Sequence, residues 1–181
     1  QIYGQARSGV FSFPGFYARR IRRIFPPLIA VLVFVGIYGY FHLNLNLFVS
    51  LFKHIASSSV FISNFVLWQE TGYFDQQAEM KPLLHLWSLG IEEQFYVFWP
   101  VLLIALIAAS RGFRGAVSWG LLLVCAASVA AGVNLMRQDP NGAFYSLLSR
   151  CWELGIGGLL AVLEFDRSAA PLSVRRRRAK E

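Results

Sequence analysis

Charge-free apolar runs alternate along this chain with short polar stretches. Pro26–Leu43, Val97–Ala109 and Ala116–Met136 carry no charged residue, and Ala143–Phe165 is interrupted only by Arg150, Glu153 and Glu164. A helix that crosses the hydrocarbon layer needs about 20 mostly apolar residues. The pattern predicts an all-α, multi-pass transmembrane helical bundle with four or five membrane segments. The fifth candidate, His54–Trp68 (HIASSSVFISNFVLW), has fifteen residues, four of them Ser, together with Asn64. It is short for a crossing and polar for a lipid-facing helix, which suits a re-entrant or interfacial piece.

Composition agrees with this pattern. The 181 residues are 56% hydrophobic and 15% charged, whereas soluble domains lie near 45–50% and 25%. The net charge of +7 is clustered. Arg7, Arg19, Arg20, Arg22 and Arg23 precede the first span, Arg111 and Arg114 follow the second, and Arg167, Arg175–Arg178 and Lys180 follow the last. Beside membrane spans such clusters read as a cytoplasmic topology signal rather than a nucleic-acid site. If His54–Trp68 does not cross, thirteen basic residues fall inside, against Lys53, Lys81 and Arg137 outside. If it crosses, the bias disappears, with seven inside and nine outside. Charge therefore favours four crossings.

The expected layout is one membrane unit over 1–181. Residues 1–25 form a cytoplasmic Arg-rich amphipathic segment, 26–165 the membrane segments and 166–181 a basic cytoplasmic loop. Cys125 and Cys151 lie 26 apart in apolar segments; they read as small buried hydrophobes, with no metal spacing. The chain begins at Gln1 without Met and reads as an internal piece of a longer protein.

Two polar stretches carry candidate chemistry. In FSFPGFYARRIRRIFPPL, Pro14 suits a first helical turn and Pro26–Pro27 predict an end to the helix. At about 100° per residue, Arg19, Arg20, Arg22 and Arg23 fall in one arc of about 160°. Such an arc serves topology and headgroup attraction, or it grips phosphate through Arg pairs three residues apart.

In KPLLHLWSLGIEEQFYVFWP, a helix from Pro82 to Pro100 places His85, Ser88, Glu92, Tyr96 and Trp99 on one stripe. Glu93 lies about 100° from Glu92, and Trp87 and Gln94 fall on the far side. His85 and Glu92, about 10 Å apart along the axis, can line one cavity or simply face a wet interface. Further on, Arg150 and Glu153 form an (i, i+3) pair, and Gly155, Gly157 and Gly158 permit close helix contact.

Taken with SSSVFISNFVLWQETGYFD and SRCWELGIGGLLA, these blocks resemble, in order and over nearly the whole chain, the acyltransferase family 3 membrane proteins of bacteria. These are O-acyltransferases of surface glycans, lipopolysaccharide O-antigen among them. The resemblance implies transfer of an acyl group, often acetyl, from acyl-CoA to a sugar hydroxyl of a cell-surface or lipid-linked glycan, in the bacterial inner membrane. Its Arg-x-x-Arg motif maps onto Arg20 and Arg23, which would engage the phosphates of the acyl-CoA (acetyl-CoA) donor. Glu92, Glu93 and His85 would support catalysis, and Trp87, Ser88, Tyr96, Arg150 and Glu153 would contact substrate or hold structure. The resemblance places the principal His base in a span upstream of Gln1. Expected partners are the lipid bilayer, a glycan acceptor and the remaining spans of the same protein, with no nucleic acid and no metal. The alternative is a non-catalytic transport, flipping or assembly module for glycans.

Overall fold

The computed structural model describes residues 2–71, 81–110 and 115–169. Arg111, Arg114 and the terminal run Arg175–Arg178 with Lys180 lie outside the described residues. Among the described residues every regular element is a helix: α1 (Ile2–Arg7), α2 (Phe13–His42), α3 (Leu45–Ser59), α4 (Ser63–Glu70), α5 (Leu86–Ala109), α6 (Ala116–Gln138), α7 (Pro140–Tyr145) and α8 (Leu147–Ala169). Four stretches are long and apolar enough to cross a membrane: Phe13–His42, Leu86–Ala109, Ala116–Gln138 and Pro140–Ser168. Their outward faces leave Phe34, Tyr40, Phe41, Phe98, Leu123 and Leu148 exposed. So much contiguous apolar surface belongs in lipid or against further helices, not in water. The chain is a multi-pass membrane protein.

Ser12 caps α2 by accepting from the Gly15 amide, and Pro14 occupies the first turn as expected. The expected break at Pro26–Pro27 is absent. α2 continues through both prolines to His42. Two adjacent prolines remove only the amides that would have bonded the carbonyls of Arg22 and Arg23, a loss a membrane helix accommodates by local adjustment. Continuity has a second consequence. Arg20 falls in line with Ile24, Leu28, Leu32 and Gly39, the inward stripe of α2, while Arg19, Arg22 and Arg23 are exposed. The four arginines therefore do not act as one arc.

α2 and α5 run antiparallel, since Tyr17 donates to the Val97 carbonyl at 2.8 Å while Arg20 meets Glu93. Further along, Leu28, Leu32, Leu51, Leu83 and Leu86 close a buried cluster.

The fifth segment starts earlier than the sequence suggested, at Leu45, where Asn44 caps α3. It is not one helix. The chain reverses at Val60–Ile62, with Phe61 at φ 59°, a left-handed conformation that costs a non-glycine residue about 1–2 kcal/mol. Neighbours hold it there. Gln94 donates to the Phe61 carbonyl at 2.8 Å, and Phe25 packs edge-on against the Phe61 ring at 5.6 Å. Gly90 makes room for this turn, because a Cβ there would lie 3.1 Å from the Phe61 oxygen. α4 then runs back beside α3, bringing Glu70 to Lys53 and His54. A helix that enters and returns is the geometry of the re-entrant alternative.

α6 and α8 pair closely and antiparallel. Ser128 donates to the Leu148 carbonyl and accepts from the Trp152 amide. Of the three glycines expected to permit close helix contact, two do so, Gly155 against α6 and Gly158 against α5. A Cβ on Gly155 would meet the Cys125 sulfur at 2.8 Å, and one on Gly158 would meet the Trp99 ring at 2.1 Å. Gly157 faces open space. Gly158→Leu is accordingly expected to destabilise the protein by about 3 kcal/mol, at the upper end for overpacking, while Gly157→Leu changes little. Thermal unfolding of both variants in detergent measures the contrast.

Candidate functional site

α5 does not begin at Pro82. Residues 82–85 form tight turns, in which the Leu84 amide bonds the Lys81 carbonyl and the Leu86 amide bonds the Leu83 carbonyl. These three-residue bonds rotate the chain by about 120° per residue rather than 100°. His85 consequently precedes the helix, exposed, and does not line the cleft that Glu92 and Tyr96 share. Ser88, Glu92, Tyr96 and Trp99 keep their phase within α5. Ser88 is also exposed and donates to the His85 carbonyl. Pro100 lies inside α5, fully buried.

Both glutamates instead line one cleft with the arginines of α2. Its volume is about 400 Å³, and Arg19, Arg20, Arg23, Glu92, Glu93 and Tyr96 supply its polar wall. Glu93 receives Arg20 through two bonds, Nε to Oε2 at 3.2 Å and Nη2 to Oε1 at 2.5 Å. The Arg20 guanidinium also sits 3.4 Å from the centroid of the Tyr96 ring. Fork-to-fork bonding and ring stacking together fix its plane. Arg20 and Glu93 side chains are 22% and 12% exposed, so this pair is largely removed from solvent. Arg19 and Arg23 have no ion-pair partner among the described residues, and neither does Glu92 at the mouth. One net positive charge remains after these groups are balanced. The cleft is suited to a phosphate-bearing ligand.

Other expected residues are placed elsewhere. Trp87, on the opposite side of α5, packs against Phe144 at 4.5 Å and Tyr145 at 5.5 Å. Arg150 lies 4.9 Å over the Trp87 ring and pairs with Glu153 at 2.9 Å, as the (i, i+3) spacing implied. That group stands apart from the arginine cleft.

A second polar centre escaped sequence reading. Glu70 accepts from Lys53 at 2.9 Å and from His54 Nε2 at 2.8 Å, and Lys81 lies 3.5 Å away. A carboxylate only accepts, so His54 carries its proton on Nε2. Burial opposes ionisation of Glu70, but the bonds from Lys53 and His54 and their field outweigh it, holding its carboxyl below the usual range. Beneath this centre, fully buried Asn64 donates to the Tyr145 carbonyl and accepts from Gln94, and Ser63 donates to the Leu86 carbonyl. Trp68 donates to Asp139, whose carboxyl is lowered first by the Gly142 amide and then by Trp68. The available signal was the density of polar residues around His54–Trp68. Pairing them required knowing that the segment doubles back.

Antiparallel spans, a helical hairpin and a basic cleft set between helices define a polytopic membrane protein. Residues 6–177 match the family model of the acyltransferase domain of acyltransferase family 3. The chain belongs to this acyltransferase family. It is 34% identical over 169 residues to an uncharacterized protein of Haemophilus influenzae, covering 89% of this chain and 67% of that one. It is 33% identical over 154 residues to the Bacillus subtilis protein named "Putative peptidoglycan O-acetyltransferase YrhL", covering 83% and 24%. Over 159 residues it is 30% identical to a Staphylococcus aureus protein named "Putative O-acetyltransferase SACOL0978", covering 86% and 26%. The chain thus spans two thirds of the first relative and about a quarter of the other two. No solved structure matches it.

Proposed function

We propose that this chain is part of an O-acyltransferase of the bacterial inner (cytoplasmic) membrane. The full-length protein moves an acyl group, acetyl foremost, from acyl-CoA to a hydroxyl of a cell-surface glycan or lipid-linked saccharide. The observation that carries this reading is the cleft, where Arg19 and Arg23 stand unneutralised beside an Arg20 already fixed by Glu93 and Tyr96. Family membership and the O-acetyltransferase names of two relatives support the reaction class.

In this reading Arg23 and Arg19 take the donor phosphates, and Arg20 is held in register by Glu93. Glu92, at the mouth, orients the polar part of the donor or acceptor. The acceptor oxygen attacks the thioester carbonyl, the C–O bond forms and the C–S bond breaks. The hydroxyl proton passes to a general base and on to the departing thiolate. The family resemblance implies a histidine in that role, and His85, exposed and away from the cleft, is not the residue we assign to it.

The test uses the full-length protein. Charge-assisted bonds to one Arg contribute about 1.5–3 kcal/mol, so Arg23→Ala is expected to weaken acyl-CoA binding about 10- to 100-fold. Because Arg23 is exposed, its loss leaves folding intact. Unchanged donor binding and glycan acylation overturn the assignment. Glycan that crosses the membrane without being acylated, even by the unaltered protein, establishes the transport alternative.

A further inference from the structure

A cavity larger than the arginine cleft lies elsewhere in the bundle. It has a volume of about 830 Å³ and opens at the end of the bundle where α1, the last turn of α5, the first turns of α6 and the last turns of α8 converge. Its body is apolar, walled by Ile107, Val117, Leu122, Leu159 and Leu163, and its mouth carries Arg7, Arg167 and Trp119. Such a volume falls within the range of small-molecule sites, about 300–1,000 Å³.

The mouth is built for negative charge. Asp166 is already committed, accepting from Arg7 at 3.0 Å and from the Tyr3 hydroxyl at 3.2 Å. The neighbouring Arg167 is exposed and has no ion-pair partner among the described residues. The two arginines and Asp166 together leave one net positive charge. α6 adds to it, since its N-terminus has neither a side-chain cap nor an acidic residue in its first turn. Its N-terminal dipole therefore favours an anion. Trp119, 64% exposed on that first turn, is the kind of aromatic that sits at headgroup level.

We propose that this cavity binds an anionic glycerophospholipid, its phosphate at Arg167 and Arg7 and one acyl chain along the groove between α6 and α8. A soluble phosphate compound would leave the leucine and valine walls wet. An apolar protein segment would gain nothing from the basic rim. Basic pockets between spans are a recognised way to hold lipid headgroups. This site does not depend on the acyl-transfer reading.

The experiment is native mass spectrometry of the full-length protein released from nanodiscs of phosphatidylglycerol or of phosphatidylcholine. Phosphatidylglycerol is expected to remain bound and phosphatidylcholine to be lost. Arg167→Gln weakens retention about tenfold, while Arg167→Lys keeps most of it. Leu122→Trp, which fills the groove from a half-exposed position, abolishes it. Equal retention of both lipids, or phosphatidylglycerol retention untouched by Arg167→Gln and Leu122→Trp, overturns the proposal. So does competition by glycerol phosphate alone at lipid-like concentration, because the chain then contributes nothing. Cross-linking that places another segment of the full-length protein in the groove has the same force. Unfolding midpoints in phosphatidylcholine check that the variants fold.

Discussion

Glu70→Gln is expected to destabilise the protein by about 3 kcal/mol at neutral pH, the low end for removing one partner of a buried ion pair. The low end applies because a fifth of the Glu70 side chain stays exposed. The cost is not shared evenly among its partners. Lys53 is 53% exposed and can turn its ammonium into water. His54 and Lys81 are each 5% exposed and cannot. Glutamine offers one acceptor where the carboxylate offered two, and it brings an amide donor towards groups that themselves donate. His54→Leu in the Glu70→Gln background should therefore recover part of the loss, whereas Lys53→Met should not. Unfolding midpoints of the single and double variants measure both. The pH dependence follows from the depressed carboxyl. Its stabilisation is complete above the ordinary value of 4.5 and is lost as pH falls through the lower folded value. Acid unfolding below about pH 4.5 should be steeper in the unaltered protein than in Glu70→Gln, and parallel curves would remove Glu70 from its central role.

The sequence displayed the spans plainly, because a charge-free run of sufficient length has few other uses in a folded chain. It was less informative wherever proline or a tight turn altered helical phase. Pro26 and Pro27 read as a boundary, yet both lie within a continuous helix, as Pro100 does in α5. Local propensity weighs little once a helix is committed to hydrocarbon and its neighbours re-satisfy the backbone. His85 fell outside the cleft for a related reason, since tight turns before Leu86 place it ahead of α5 rather than on it. Glu92 and Glu93 were correctly separated on the helix wheel. What periodicity could not supply was the width of the cleft, which α2 and α5 enclose broadly enough to take both. Lys53, His54, Glu70 and Lys81 were individually visible, but only the reversal at Phe61 brings the first three together.

Arg20→Ala is expected to cost about 3–4 kcal/mol of stability, because it leaves Glu93 charged and largely buried without its partner and removes the stacking on Tyr96. Glu93→Gln should cost a similar amount for the converse reason, and Arg20→Met with Glu93→Gln should cost less than the two singles added together. A coupling of more than about 1 kcal/mol identifies the pair as a unit. Donor binding then separates structural from ligand-contacting roles. If Glu93 acts only by holding Arg20, Glu93→Gln takes one negative charge out of a basic cleft, and acyl-CoA should bind as tightly as before or more tightly. Turnover should fall, because a guanidinium without its carboxylate no longer keeps one plane. Arg20→Ala should weaken donor binding and turnover together. Calorimetric titration of acyl-CoA into both variants, beside a glycan acylation assay, reads the difference. Weaker donor binding in Glu93→Gln would mean that the carboxylate touches the donor itself, and the division of labour between Arg20 and Arg23 would have to be redrawn.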